Sequence, residues 1–124
     1  MADPTTPHIK VKAQVLVDGQ IAIGPGKADL LDAVERTGSI AAAGRALGIS
    51  YRRTRDMIDI ANAHWGAPLV ETAKGGTAHG GSRLSARGHE VLTAYRELES
   101  ALDAASDEHA AVLLRLLKPS PDAA

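Results

Sequence analysis

Three observations predict that this 124-residue chain is mainly α with a small β component: a winged helix-turn-helix with an N-terminal β-hairpin and a long C-terminal helix. First, two short helical segments are separated by Gly48, and the second opens on Tyr51-Arg52-Arg53-Thr54-Arg55 behind a capping Ser50. Second, two short β-prone stretches joined by a glycine-rich loop follow directly. Third, the stretch from Ala86 to about Leu117 reads as one helix whose apolar residues recur at alternating spacings of four and three.

In chain order, residues 1–8 hold Pro4 and Pro7 and are expected to form a disordered leader. From His8 to Ile23 the pattern alternates, with Ile9, Val11, Ala13, Val15 and Val17 on one side. Asp18-Gly19 interrupts it, and Asp-Gly between β-prone runs is a hairpin signal. Gly24-Pro25-Gly26 closes the hairpin. From Lys27 the period turns helical through Leu30, Leu31 and Val34, ending at Thr37-Gly38. Ser39 caps a second helix, Ile40 to Leu47, which Gly48 ends, and Ser50 caps a third, Tyr51 to about His64. Gly66-Ala67-Pro68 stops that helix. Leu69 to Thr72 and Ser82 to Ser85 are strand candidates around the loop Lys74 to Gly81, together reading as a wing. The expected organisation is a DNA-binding domain over 9–85, a dimerisation helix over 86–117 and a flexible tail over 118–124.

Composition narrows the function. A net charge of −1 gives no general affinity for polyanions, so any nucleic-acid surface must be local. With no cysteine there is no disulfide scaffold, thiolate metal site or cysteine nucleophile. No apolar run approaches the roughly 20 residues of a membrane span. The N-terminus lacks the basic and apolar regions of a secretory signal, so a soluble cytoplasmic protein is expected. Without phenylalanine, the core must be built from Leu, Ile, Val and Ala.

Placing the third helix on a wheel at about 100° per residue puts Thr54, Met57, Ile58, Ala61 and Trp65 on one core-facing stripe. Arg52, Asp56, Asp59 and Ala63 lie opposite, with Arg53 and Arg55 flanking the exposed face. The positive charge is confined to the first turn and a half, the part of a recognition helix that meets base edges. Arginine bonds guanine bidentately, and Ser39, Ser50 and Tyr51 are placed to reach phosphate or base. In the wing, Lys74 and Arg83 bracket the loop, with Thr77 and His79 between them, positions suited to flanking backbone or minor groove. A nucleotide-binding P-loop would end in Gly-Lys-Ser/Thr, whereas here Gly81 is followed by Ser82 and Arg83.

In the last helix Val91, Tyr95, Leu98, Leu102, Ala105, Val112 and Leu116 form a heptad-like seam. Its first part can pack on the domain's own core. Beyond about Leu102 it outruns so small a domain, and a second copy of the same helix is the economical partner. Glu97, Glu99, Asp103, Asp107 and Glu108 make this arm acidic and set it apart from DNA. The histidines His8, His64, His79, His89 and His109 have no metal-ligand spacing, and no catalytic triad is apparent. No metal, cofactor or enzymatic activity is implied.

Residues from about 10 to 100 resemble the N-terminal DNA-binding domain of ModE-type molybdate-responsive regulators, whose winged helix is of the LysR class. The resemblance rests on Thr37-Gly38-Ser39-Ile40, Gly48-Ile49-Ser50-Tyr51, Asp56, Ile58, Asn62, Leu69-Val70-Glu71, Gly75-Gly76, Gly80-Gly81, Leu84, Gly88 and Tyr95. It implies a β-hairpin before the first helix and dimerisation through the last. An aromatic residue commonly stands in the family where this chain has Arg55, which implies a different operator sequence. Full-length relatives continue into a molybdate-binding region of small β-barrel repeats. The sequence here stops at Ala124, so oxyanion sensing is not expected of it. The expectation is a homodimeric regulator bound to double-stranded DNA at an inverted repeat, without a membrane. The rival is a winged-helix protein-interaction module, for which near-neutral charge and the acidic, leucine-rich last helix speak.

Overall fold

The structure is a computed structural model that describes residues 5–72 and 81–119. Its elements run β1 (Val15–Val17), β2 (Gln20–Ile23), α1 (Pro25–Thr37), α2 (Ile40–Ala46), α3 (Tyr51–Ala63), β3 (Val70–Thr72), β4 (Ser82–Leu84) and α4 (Ala86–Arg115).

β1 and β2 pair antiparallel around Asp18 and Gly19, both with positive φ (50° and 80°), the backbone that a tight hairpin of matching twist demands. The strand is shorter than the alternation from His8 suggests. β2 has four residues before the chain turns into α1, so residues 8–14 have no strand to pair with. Ile9 and Val11 are exposed, and only Ala13 packs against the core. α1 also begins two residues before the expected Lys27. Pro25 occupies its first position, where a missing N–H is harmless and a fixed φ suits the helix. Gly38 then ends α1 in the left-handed conformation and donates its N–H to the Val34 carbonyl.

The core lies where α1, α2, α3 and the first turns of α4 converge. Ala28, Leu30, Leu31, Ala33 and Val34 of α1 are buried against Ile40 and Ala43 of α2, Ile58 and Ala61 of α3, and Val91, Leu92 and Tyr95 of α4. α2 and α3 cross so closely that a Cβ at Gly44 would collide with the Thr54 hydroxyl. That hydroxyl is fully buried and donates to the Ser50 carbonyl at 2.7 Å, so the tight contact leaves no orphaned polar group.

Single side chains fix the β elements onto this helical body. The Asn62 Oδ1 accepts the N–H groups of Leu69 (2.8 Å) and Val70 (3.1 Å), turning the chain from α3 into β3. β3 pairs antiparallel with β4 in the register Val70↔Leu84, Glu71↔Arg83, Thr72↔Ser82. The far edge of β4 is tied to α1: Ser82 N–H donates to the Gly38 carbonyl and Leu84 N–H to the Glu35 carboxylate. Ser85 caps α4 by accepting the Gly88 N–H, while its own hydroxyl donates to the Pro68 carbonyl at 2.6 Å. Tyr95 reaches back to donate its hydroxyl to the Ala13 carbonyl (2.8 Å), and the Trp65 indole N–H donates to the Ala22 carbonyl (3.3 Å), so both anchor the hairpin end.

α4 has 30 residues, about 45 Å at 1.5 Å per residue. Val91 and Tyr95, which the seam pattern groups with the dimerisation residues, are buried in the chain's own core. They sit on the turns of α4 that cover α1, which corrects that part of the expected interface. Arg96, on the next turn, joins α4 to α1 through Asp29 (2.9 Å) and Asp32, and also pairs with Glu99 (2.8 Å). Partial burial works against its charge, but the hydrogen bonds it donates to Glu99, Asp32 and Asp29 outweigh that and raise its pKa above the ordinary arginine value. No helix among the described residues is long and apolar enough to cross a membrane.

Candidate nucleic-acid interface

The N-terminal turn and a half of α3 projects from the body as a polar, cationic ridge. Ser50 fixes its start: the side-chain oxygen accepts the Arg53 N–H at 3.1 Å. Tyr51, Arg52, Arg53 and Arg55 are all exposed, while Thr54, between them, is the buried pivot on α2. Ser39 plays the same capping part for α2, accepting the Ala42 N–H at 3.1 Å, and is half-buried. Ser39 and Ser50 therefore hold helix ends in place, and their hydroxyls already have one partner each.

The arginines differ in their pairing. Arg55 approaches Asp59 one turn on (3.9 Å), an exposed pair of little intrinsic strength. Arg52 and Arg53 have no carboxylate within ion-pairing distance among the described residues. They flank a cleft of about 370 Å³ between the N-terminal ends of α1 and α3, together with Ser50, Asp56, Met57 and Lys27 of α1. The half-buried Lys27 has its pKa lowered, first by desolvation and then by the nearby charge of Arg53. Sequence reading placed Lys27 at the start of the first helix but gave it no role, because only the fold brings that turn of α1 against α3.

In the wing, Arg83 is exposed and faces Glu71 across the β3–β4 pair at 3.7 Å, so a ligand would have to displace that weak pairing. Lys74, Thr77 and His79 lie outside the described residues. On α4 the seam residues beyond Tyr95 are largely uncovered: Leu98 is 42% exposed and Leu116 79%, Val112 and Ala105 are exposed, and Leu102 is half-buried. Leu113 and Leu117, which the spacing did not single out, are exposed as well. A second groove, about 320 Å³ and mainly apolar, runs between the hairpin and α4, bordered by Val15, Trp65, Val91, Ala94 and Leu98. No cluster of His, Asp or Glu among the described residues could hold a metal ion.

Similarity to known proteins follows this layout. No family model matches the chain. It is 40% identical over 78 residues to the molybdenum-pterin-binding protein MopB of Rhodobacter capsulatus, covering 63% of this chain and 29% of the relative. It is 38% identical over 90 residues to the molybdenum transport protein ModE of Azotobacter vinelandii, covering 69% and 33%. The chain thus spans about a third of the length of the curated relatives it matches. Among solved structures, the DNA-binding domain of CbnR in complex with DNA superimposes with a TM-score of 0.56 at 25% identity, covering 71% of this chain and 95% of that one. Full-length CbnR with its target DNA gives 0.53 at 25% identity, covering 68% and 27%. The chain is therefore similar, over about two thirds of its length, to one part of the MopB and ModE relatives, and it shares its fold with the DNA-binding domain of CbnR.

Proposed function

We propose that this chain is a sequence-specific transcriptional regulator that binds double-stranded DNA as a homodimer on an inverted repeat, in the cytoplasm where the duplex is accessible. One observation carries the reading. A helix-turn-helix locked at Gly44 and Thr54 presents Arg52 and Arg53, without an ion-pair partner among the described residues, on the capped first turns of its second helix. That is the end of a recognition helix that meets base edges. In this reading Tyr51, Arg52, Arg53 and Arg55 enter or border the major groove. Lys74, Thr77, His79 and Arg83 hold the flanking backbone or minor groove. The largely uncovered seam Leu98, Leu102, Ala105, Val112 and Leu116 joins two copies and sets the half-site spacing.

The test is selection of bound duplexes from a random pool, followed by gel shifts of the winner. An inverted repeat bound by two protomers is expected; no enrichment would overturn the proposal. Arg52→Ala should cost about 1–3 kcal/mol on the selected site and relax its sequence preference. Equal losses on selected and random duplex would remove the base-reading role. The exposed leucines and apolar groove of α4 favour a second reading, a protein-interaction module. Indifference to DNA resin at low salt would favour it.

A further inference from the structure

The cleft between α1 and α3 holds a charge imbalance that the fold leaves uncompensated. Among the described residues, Lys27, Arg52 and Arg53 bring three cations to it, and Asp56 is the one carboxylate. Asp56 lies within ion-pairing distance of none of them. Like charges gathered on a partly desolvated wall repel unless an anion arrives between them. A cluster of cations that borders a helix already suited to DNA points to an anionic ligand on the same surface.

Geometry indicates which anion. Packed helices stand about 8–10 Å apart. The major groove is about 12 Å wide. If α3 is centred in the groove, a residue on the neighbouring helix lies over the groove's wall, where the phosphates are, and too far aside to meet base edges. Lys27 is that residue, on the α1 turn that abuts α3: the Gly26 position next to it faces the end of the Met57 side chain. We infer that this cleft is a phosphate subsite that takes one backbone phosphodiester of the duplex read by α3, gripped from two sides by Lys27 and Arg53; this rests on the DNA-binding reading above. Two cations on separate helices fix the angle at which α3 enters the groove, which neither could do alone. Lys27 is thus a positioning residue that carries no sequence information.

The test compares the wild-type chain with Lys27→Gln and Lys27→Arg, each checked for an unchanged melting temperature. Affinity is measured against salt on the selected duplex and on random duplex. Lys27→Gln should weaken binding to both by the same factor and reduce the salt slope by about 0.9, the share of one phosphate, while Lys27→Arg keeps the slope. Replacing single phosphates by neutral methylphosphonates should reveal one position whose loss equals that of Lys27→Gln and adds nothing to it. An unchanged slope, or a changed preference between duplexes, would overturn the subsite while leaving the DNA-binding reading intact. A wild-type chain that binds no duplex would overturn both. Saturation by inorganic phosphate that Lys27→Gln abolishes, with an unchanged duplex slope, would make this a free-anion site and overturn the backbone assignment.

Discussion

The two halves of α4 place large apolar residues at the same spacing and meet opposite fates. Val91, Leu92 and Tyr95 are buried against α1 and the strands, whereas Val112, Leu113 and Leu116 stand in solvent. Periodicity marks a face of the helix. What covers that face depends on how far the rest of the domain reaches. Here Arg96, through Asp29 and Asp32, makes the last ion pairs described between α4 and α1, and further along only scattered positions such as Ala110 are buried. One heptad-like seam thus closes the core over its first turns and leaves its later leucines open for the proposed association.

This contrast can be broken first in the body. Leu31→Ala empties a fully buried site and should cost about 2–5 kcal/mol in denaturant unfolding. A cost below about 1 kcal/mol would mean that the core is loose enough to collapse around the loss. Gly44→Ala forces a methyl onto Thr54 and should cost about 1–3 kcal/mol. Combining it with Thr54→Ala should recover part of the loss, and strict additivity would contradict the close crossing.

Smaller effects sharpen the boundary between the halves. Tyr95→Phe orphans the Ala13 carbonyl and should cost about 0.5–1.5 kcal/mol. Burial, followed by the Glu99 charge, raises the Tyr95 pKa above its usual 10.0, with Arg96 opposing. A raised folded pKa means that the neutral form is favoured on folding. This contribution is complete below pH 10 and fades as pH climbs through the folded value. Tyr95→Phe should abolish that alkaline loss. Leu116→Ala should change unfolding of the isolated protomer by no more than about 0.5 kcal/mol. If α4 joins two copies, the same change should raise the concentration at which sedimentation detects dimers. Equal dimerisation by both proteins would remove Leu116 from the interface.

Local chemistry was legible in the sequence wherever it stays local. Ser39, Ser50 and Ser85 cap the helices they precede, Asp18-Gly19 makes the hairpin turn, and Gly38 ends α1. The pattern around Thr54, Ile58 and Ala61 gave the buried face of α3 because a helix wheel depends only on spacing. Features set by tertiary partners were not legible. The alternation before Val15 suggested a strand, but a four-residue neighbour cannot pair with it. Asn62 carried no visible role until its oxygen was seen to receive two strand amides across a gap of seven and eight residues. Lys27 became part of the candidate interface only when α1 met α3.

The tie between β4 and α1 has a consequence for assembly. A two-stranded ribbon normally offers a row of free amides to any extended chain that drifts past, an opening for runaway stacking. In β4 the outward amides of Ser82 and Leu84 are already committed to Gly38 and Glu35. This flank is closed to strand addition, so an extended segment of another copy finds no free amides along β4 to pair with.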